Sequence, residues 1–509
     1  MPFAARLSSL LALSVPLVAT LAGVGCSSGP DPVSLFQAHN SQQSGGNGGG
    51  DDGGTGTGSS SSPSPGLGGN VNNPAPVDSG PPCVNLQCKQ VACTGSAHTT
   101  VSGTIYDPAG KNPLYNVVVY VPNSTPKPFT DHATCDTCAD LYTGEPLVTA
   151  STGPDGTFTL KDVPAGANIP LVIQIGKWRR QITIPNVQSC VDNPLTDKTQ
   201  TRLPKNRTEG DLPKIAVSTG GADTLECLLQ RIGVDTAEYA SGTGPERVHI
   251  FQGVGGNATS GGSPKSEASL WDSSTDLTSY DIVILSCEGD EHPETKSAAN
   301  LAALEAYANG GGRVFASHFH YYWFEGTGSS IEFQNTASWV TGSNSIGPGP
   351  DNITSAAINT TFPKGQALDQ WLKITSALQT DGTLQISNSR QNASVNPAVN
   401  KSSQAWITDV TVPTLPGSAE PTTMYFDFNT PLAAAPTAQC GRVVYSDLHV
   451  GAASNDYSNG TKTVPGGCTV ADLSPQEKAL EFMLFDLSSC VTPDNQPPAP
   501  PPPVPPQPK

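Results

Sequence analysis

The chain has little positive charge. Its 509 residues contain 26 Lys and Arg against 44 Asp and Glu, which gives a formal net charge of −18. The basic residues form no stripe of the kind that binds a phosphate backbone. We therefore exclude nucleic acid as a partner, and the dispersed acidity mainly favours solubility.

Long apolar runs are also missing from residues 26–509. No apolar run in that part approaches the 18 residues that a membrane-spanning helix needs. The N-terminus carries a basic residue, an apolar stretch over residues 10–24 and then Cys26. It resembles a bacterial lipoprotein signal, in which cleavage before Cys26 leaves that cysteine to carry a lipid anchor, although Gly23 stands where such signals prefer Leu. The alternative is an ordinary secretory signal peptide over residues 1–25. Both readings predict export, to the outer membrane or cell surface if Cys26 is lipidated and as a secreted protein otherwise.

Twelve cysteines fit an oxidising compartment. Without Cys26 the count is odd, so we expect disulfide bonds and at least one free thiol. The pair in "CDTC", Cys135 and Cys138, could be a redox or metal pair, but in a loop-rich exported segment a structural disulfide is favoured. No oligomeric state can be predicted.

Two segments lack any apolar period. Residues 26–82 are rich in Gly and Ser and predict a flexible tether. Residues 491–509 are rich in Pro and predict an extended, disordered tail.

Residues 83–205 show short alternating strands separated by Gly and Pro turns, which predicts a small all-β sandwich. The stretch "VSGTIYDPAGKNPLYNVVVYVP", followed by "STGPDGTFTLKDVPAG", resembles the carboxypeptidase regulatory-like, transthyretin-type domain. The resemblance implies an accessory or spacer module without catalytic residues. Residues 125–149 are interpreted as an insertion in it.

Residues 211–490 alternate strand and helix patterns, which predicts a doubly wound, flavodoxin-like α/β domain. The whole chain is thus predicted to be multidomain. Residues 327–420 interrupt the alternation and are interpreted as an irregular β-rich insertion that lies over the carboxyl edge of the sheet. The helix "LSPQEKALEFMLFDL" is predicted to begin at Ser474 as its N-cap.

Four predicted strands end in polar groups, and ligands bind beyond the carboxyl ends of parallel strands. The groups are Ser218 with Thr219, Gly220 and Gly221; Cys287 with Glu288 and Gly289; His318 with His320; and Asp447 with His449. We expect them to converge on one cleft.

The segments "YDIVILSCEG", "LEAYANGGGRVFASHFH" and "CGRVVYSDLHV" resemble the class I glutamine-amidotransferase-like superfamily, closest to its trehalose-utilisation (ThuA-like) branch. Amidotransferases of this kind need a nucleophilic cysteine at the turn after the "RVFAS" strand. Here "ASHFH" has no cysteine and no flanking glycine, so the resemblance implies the fold without glutaminase chemistry. Ser317 is a poor substitute, because neighbouring strand residues point to opposite faces. Glu288 would disfavour a Cys287 thiolate, so that cysteine is expected to be a disulfide or a buried thiol.

His318, His320, Asp447 and His449 offer ligands that zinc or another divalent metal accepts. No H-E-x-x-H motif fixes their geometry, so no cofactor is required by the pattern. Two alternatives stay open: acid–base catalysis by His318, Asp447 and His449, and an inert pocket.

Aromatic residues cluster around the two histidines. They could stack on a sugar ring at a cleft mouth, or form the core that joins the insertion to the sheet. The residues are Tyr321, Tyr322, Trp323 and Phe324, with Trp339, Trp371 and Trp406. For a ligand, we predict contacts with Gly220, Gly221, Glu288, His320, Tyr322 and Trp323.

Together these patterns predict an exported, lipid-anchored cell-envelope protein that binds a carbohydrate or cell-wall ligand without catalysis. The alternative is a ThuA-like enzyme acting on a saccharide, with the strand-end His and Asp residues and a metal.

Overall fold

The computed structural model describes residues 83–259, 264–342, 353–450 and 463–504. All of them belong to one compact unit, Ala75–Lys509. The predicted signal peptide, the predicted lipidation site Cys26 and the predicted tether over 26–82 lie outside these ranges. Within them, no helix has both the length and the apolar character that crossing a membrane requires.

The strands in chain order are β1 (Thr100–Thr104), β2 (Val118–Pro122), β3 (Pro146–Ser151), β4 (Thr157–Leu160), β5 (Gly166–Ile175), β6 (Trp178–Val187), β7 (Asp192–Leu195), β8 (Ile215–Thr219), β9 (Tyr239–Ala240), β10 (Val248–Gln252), β11 (Ala258–Thr259), β12 (Lys265–Ser266), β13 (Ile282–Leu285), β14 (Arg313–Ser317), β15 (Ser338–Trp339), β16 (Thr354–Ile358), β17 (Leu384–Ile386), β18 (Ala393–Ser394), β19 (Ser403–Asp409), β20 (Thr423–Thr430), β21 (Gly441–Ser446) and β22 (Thr463–Val464). The helices are α1 (Cys138–Leu141), α2 (Leu225–Arg231), α3 (Ala268–Trp271), α4 (Ser274–Thr278), α5 (Ala298–Asn309), α6 (Tyr322–Glu325), α7 (Ile331–Gln334), α8 (Pro363–Ile374) and α9 (Pro475–Ser488). Short 3₁₀ turns cover Asn85–Lys89, Thr236–Glu238, Pro293–Thr295, His318–Tyr321 and Pro436–Ala438.

The N-terminal part of the described chain forms two small sheets, in the orders β4-β1-β7 and β3-β2-β5-β6. Apolar side chains of both sheets share one hydrophobic cluster, which includes Val101, Val119 and Ile173. This follows from the alternating pattern of the strands, since alternate residues point to the same face.

Most of the remaining strands build one large sheet with the path β12-β10-β8-β13-β14-β21-β20-β19-β16-β17, beside which β9, β15 and β18 attach. Strands β11 and β22 form a separate two-stranded sheet. From β12 to β21 neighbouring strands are parallel, and from β21 to β17 they are antiparallel. Its central strands read as continuous buried apolar runs, because helices and loops cover both faces. The prediction of a β-rich protein with several sheets and some helices is confirmed.

Helix α9 begins as predicted. The Ser474 hydroxyl accepts a hydrogen bond from the Glu477 amide, and the Glu477 carboxylate accepts one from the Ser474 amide. One face of this helix joins the small sheets to the large one: Phe485 packs against Trp178 with ring centroids 5.8 Å apart, and Phe482 stacks on Tyr115 at 5.5 Å.

Five disulfide bonds confirm the expected cysteine chemistry, and the predicted free thiol is Cys287, which is buried. The two "CDTC" cysteines are structural, but they do not pair with each other. Cys135 binds Cys440 and Cys138 binds Cys490, so both tie the 125–149 segment to the large sheet and α9. The other pairs are Cys83–Cys88, Cys93–Cys190 and Cys227–Cys468.

The tail predicted to be disordered over 491–509 is instead held in place as far as residue 504. Asp494 is ion-paired with Arg442 at 2.9 Å and with Lys364 at 3.0 Å, because two buried cations need a counter-charge. Further on, the Val504 amide donates to the Pro146 carbonyl at 2.7 Å, along the free edge of β3. The prediction of disorder was wrong for residues 491–504, because it was made from their Pro-rich composition and did not include these ion pairs and edge contacts. Residues 505–509 of the predicted tail lie outside the described ranges.

The 327–420 segment does not form a separate layer over the sheet. Its strands β16, β17 and β19 extend the large sheet beyond β20, and α8 packs below them, with Trp371 donating a hydrogen bond to the Pro113 carbonyl at 2.6 Å. Residues 388–392 reach the carboxyl ends of the central strands, and the Gly342 amide donates to Glu291 and Tyr321, which follow β13 and β14.

The long-range disulfides should dominate covalent stabilisation. We expect replacement of Cys135, Cys138, Cys440 and Cys490 by alanine to lower the free energy of unfolding by about 2–5 kcal/mol per bond, since they close chain separations of 305 and 352 residues. The control is Cys83→Ala with Cys88→Ala, which removes a bond that closes a separation of only 5 residues. Its free energy of unfolding should fall by less. Chemical denaturation of both variants measures this, and equal losses would contradict it.

A buried carboxyl pair at the α9 interface should make stability depend on pH. Burial first, and then the charge of Asp107, raise the pKa of Glu481 well above its usual 4.5, and its Oε2 accepts a hydrogen bond from Asn112 at 2.7 Å. The folded chain therefore keeps a proton that the unfolded chain releases, so this group's contribution is complete below pH 4.5 and is lost as pH rises toward the folded pKa. We expect Glu481→Gln to raise the Tm by a few degrees at pH 8 but not at pH 4. The exposed Glu332→Gln is the control, and a Glu481→Gln difference that is independent of pH would refute this account.

Candidate functional site

The polar strand ends lie at one edge of the large sheet. Strands β8, β13, β14 and β21 are parallel neighbours, and Ile215, Ile282, Arg313 and Arg442 are aligned across them. Because the four strands start at one level and have similar lengths, their carboxyl ends also meet at one level. The register of the four strands therefore brings these polar ends together, as the sequence predicts.

His318 occupies a strained turn directly after β14. Its φ angle is +44°, in the left-handed region that residues other than glycine rarely adopt. The chain then turns through the 3₁₀ segment His318–Tyr321 into α6. Such a conformation costs about 1–3 kcal/mol and persists only where the surrounding structure holds it. The turn aims the imidazole at the neighbouring strand ends.

Two side chains lie next to the His318 imidazole. The Cys287 thiol, after β13, lies 3.2 Å from Nδ1 of His318. The His449 ring, after β21, has its centroid 5.2 Å from that of His318. One potential ligand atom from each of Cys287, His318 and His449 lies within 4.8 Å of the other two. We call these three residues the strand-end triad.

The triad is sealed from solvent. The exposed fractions are 0% for Cys287 and His449 and 2% for His318. Asn388 binds the outer face of His449, with its Nδ2 3.1 Å from Nδ1. Nε2 of His449 has no hydrogen-bond partner among the described residues, whereas His318 also has the Asn392 side chain as a hydrogen-bond partner.

All three groups are neutral at neutral pH. Burial raises the pKa of the Cys287 thiol to about 12. Burial, and then the charge of Arg390, lower the pKa of His449 to about 3; burial, His449 and Arg390 hold the pKa of His318 well below its usual value. A nucleophilic cysteine must be a thiolate, so the triad without a ligand contains no ready nucleophile.

The other two residues of the predicted metal set lie elsewhere. His320 donates from Nε2 to the Ser286 carbonyl at 2.9 Å and accepts at Nδ1 from Trp323 at 3.1 Å, so both ring nitrogens are used. Asp447 accepts from the Asn392 amide at 2.8 Å and from the Tyr445 hydroxyl at 2.7 Å, and burial raises its pKa to about 7. The predicted set of four was wrong in these two members, because the 3₁₀ turn rotates His320 away from His318 and the Asn392 loop takes the Asp447 carboxylate.

Gly220, Gly221 and Glu288 hold the loops of this edge together. A Cβ on Gly220 would lie 2.0 Å from the Cys287 carbonyl oxygen, so glycine is required by close backbone packing. Gly221 has more room, with 3.4 Å to the nearest atom. The Glu288 carboxylate binds Lys296 Nζ at 2.6 Å and accepts from the Val254 amide at 3.1 Å. Gly220 and Glu288 thus stabilise the loops at this edge.

The aromatic residues around His320 are core. Trp323 is 1% exposed and packs edge-on against Trp271 at 5.1 Å, and both Trp371 and Trp406 are fully buried. Tyr322 is half-buried, and Trp339 stacks on Phe324 at 5.8 Å. Of the two readings of this cluster, the geometry fits the core that joins neighbouring elements.

Sequence reasoning missed several residues of the site. Asp223 accepts from the Ser317 hydroxyl at 2.6 Å and from the Val450 amide at 2.8 Å, which links β14 to the end of β21. Its position just after the Gly220-Gly221 turn was a usable signal. Asn388, Arg390 and Asn392 gave no such signal, because they reach the site from a distant loop.

No family model matches the chain, and no curated protein matches it. Among solved structures, one match is an N-terminal interface mutant of a type II cohesin–X-dockerin complex from Acetivibrio cellulolyticus, with 19% identity, 29% of this chain and 78% of that chain covered, and a TM-score of 0.15. Another is a 9R-lipoxygenase from Cyanothece PCC8801, with 14% identity, 22% and 17% covered, and a TM-score of 0.10. Similarities this low carry no argument about fold or function.

The Glu288–Lys296 pair should be essential to this edge. Both side chains are at most 1% exposed, so Lys296→Met would leave a buried carboxylate without its counter-charge. We expect a loss of about 3–5 kcal/mol in the free energy of unfolding, much of it recovered when Glu288→Gln is added. The control is Lys373→Met in the exposed pair with Asp369, worth about 0.5 kcal/mol or less. Equal losses from the two lysines in chemical denaturation would contradict this account.

Proposed function

We propose that this chain is an exported, lipid-anchored cell-envelope protein, on the outer membrane or cell surface, that binds a ligand at its strand-end edge without hydrolysing amides. The parallel strand order and the strand–turn–helix around His318 support a doubly wound, flavodoxin-like domain of the amidotransferase-like, ThuA-like type. The two small sheets, which share one core, support a transthyretin-type sandwich before it.

The observation that carries the proposal is the residue at the turn. His318 stands in the strained position after β14, and the cysteine is on the neighbouring strand, buried and neutral. A thioester needs a thiolate that a substrate can reach. Neither condition is met, which argues against catalysis through a thioester.

A carbohydrate or cell-wall ligand, which the sequence favoured, would have to bind without stacking on Trp323, Trp371 or Trp406, since those rings are buried. The alternative of a saccharide-acting enzyme would need an open cleft around His318, Asp447 and His449. All three are at most 2% exposed, so no specific observation favours it.

Export is supported by the disulfides. Five bonds join residues that are up to 352 positions apart, and such bonds persist in oxidising compartments. The membrane partner would be reached through Cys26 and the 26–82 tether.

The proposal predicts two independent results. Cys26→Ser should abolish incorporation of labelled fatty acid and release the protein from the membrane, while the control Cys88→Ser keeps the label. An electrophilic glutamine analogue should leave Cys287 unlabelled in the intact protein and label it only after denaturation. Glutaminase turnover, or rapid labelling of native Cys287, would contradict the proposed function.

A further inference from the structure

The strand-end triad has the donor set of a metal centre. Cys287 offers sulfur, and His318 and His449 each offer an imidazole nitrogen. Thiolate and imidazole suit zinc and its neighbours in the first transition row, whereas magnesium and calcium select oxygen ligands. Zinc binds sulfur at about 2.3 Å and nitrogen at about 2.0–2.1 Å, so its ligand atoms lie within a few ångströms of one another, as these atoms do.

A hydrogen bond between the thiol and His318 explains only part of this geometry. It satisfies Nδ1 of His318, but Nε2 of His449 remains buried and without a partner. Burying a polar atom without a partner costs about 1–3 kcal/mol. A metal ion between the three side chains would remove that cost, and it would also account for the strained turn that aims His318 inward.

The triad has an outer partner of the kind that metal sites use. Ligating histidines generally donate their second ring N–H to an outer acceptor, and the Asn388 side-chain amide lies 3.1 Å from Nδ1 of His449, where its oxygen accepts that N–H once the amide is turned over. Arg390 interacts electrostatically with Cys287, Asp223 and Asp447.

Two comparisons within the protein sharpen the assignment. His249 is also buried with a partnerless Nε2, but Nδ1 contacts the Tyr280 hydroxyl at 2.9 Å and it belongs to no group of converging metal ligands in the described chain. The acidic group Asp427, Asp486 and Asp494 does converge, but Arg442 and Lys364 are already ion-paired with it, and burial raises the pKa of the third carboxyl, Asp427, to about 8. Only at the triad do converging ligand atoms, a buried unsatisfied nitrogen and soft ligands coincide among the residues that the structure describes.

We propose that Cys287, His318 and His449 bind one zinc-class transition-metal ion at the carboxyl edge of the large sheet. Three protein ligands leave a fourth position for water or an exogenous ligand. This inference rests on the proposed function, because it names the ligand of the same site.

The test uses the full-length protein, released from the membrane in detergent, stripped with chelator and titrated with Zn²⁺ and Co²⁺. We expect about one ion per chain, a thiolate-to-cobalt charge-transfer band and a higher Tm with metal. Cys287→Ser should remove the charge-transfer band, and both Cys287→Ser and His449→Gln should weaken binding by about 100-fold or more, since even outer partners of a metal site are worth about 10–100-fold. His249→Gln, the matched buried histidine, should bind as wild type does.

Should a triad variant fail to fold, as judged by near-UV circular dichroism, Asn388→Ala decides. It removes only the outer partner of His449 and should weaken binding by about 10–100-fold. Absence of stoichiometric binding in the wild type, or equal affinity in wild type, Cys287→Ser and His449→Gln, would overturn the metal inference. Labelling by the glutamine analogue is measured on the metal-free protein, so the proposed function can fail or survive separately.

Discussion

The parallel register of β8, β13, β14 and β21 is the constraint on which the rest of the site depends. Each pair of neighbouring strands is aligned residue for residue, so the chain must turn at the same level four times. The polar backbone and side-chain groups of those turns are buried under the loops. Each of them therefore needs a hydrogen-bond partner within the protein. Gly220 allows the first turn to approach Cys287, and Asp223 links the turns after β14 and β21. The triad lies where these requirements meet.

The sequence predicts the elements that depend on local pattern. The α9 cap at Ser474 follows from its capping residues, and the alternation of strands and helices follows from apolar periodicity. The odd cysteine count correctly required a free thiol. Convergence of the strand ends was also predictable, because parallel strands joined by helices place their carboxyl ends at one edge.

The features that could not be predicted from the sequence depend on contacts between residues that are far apart in the chain. Nothing near "CDTC" shows that its cysteines bind Cys440 and Cys490, or that Asp494 neutralises Arg442. His320 looks equivalent to His318 in sequence, and only the 3₁₀ turn separates their roles. Cys287 was expected to be inert as a disulfide or buried thiol, and its place beside His318 became visible only when β13 and β14 were paired. In each case the deciding contact joins residues that no local pattern relates.

The metal site proposed for Cys287, His318 and His449 is the part of the structure that most needs a direct measurement. Extended X-ray absorption at the zinc edge of the loaded full-length protein tests it most directly. The account predicts one sulfur at about 2.3 Å and two imidazole nitrogens at about 2.0–2.1 Å in the first shell. A first shell of light atoms alone, with no sulfur, would contradict it.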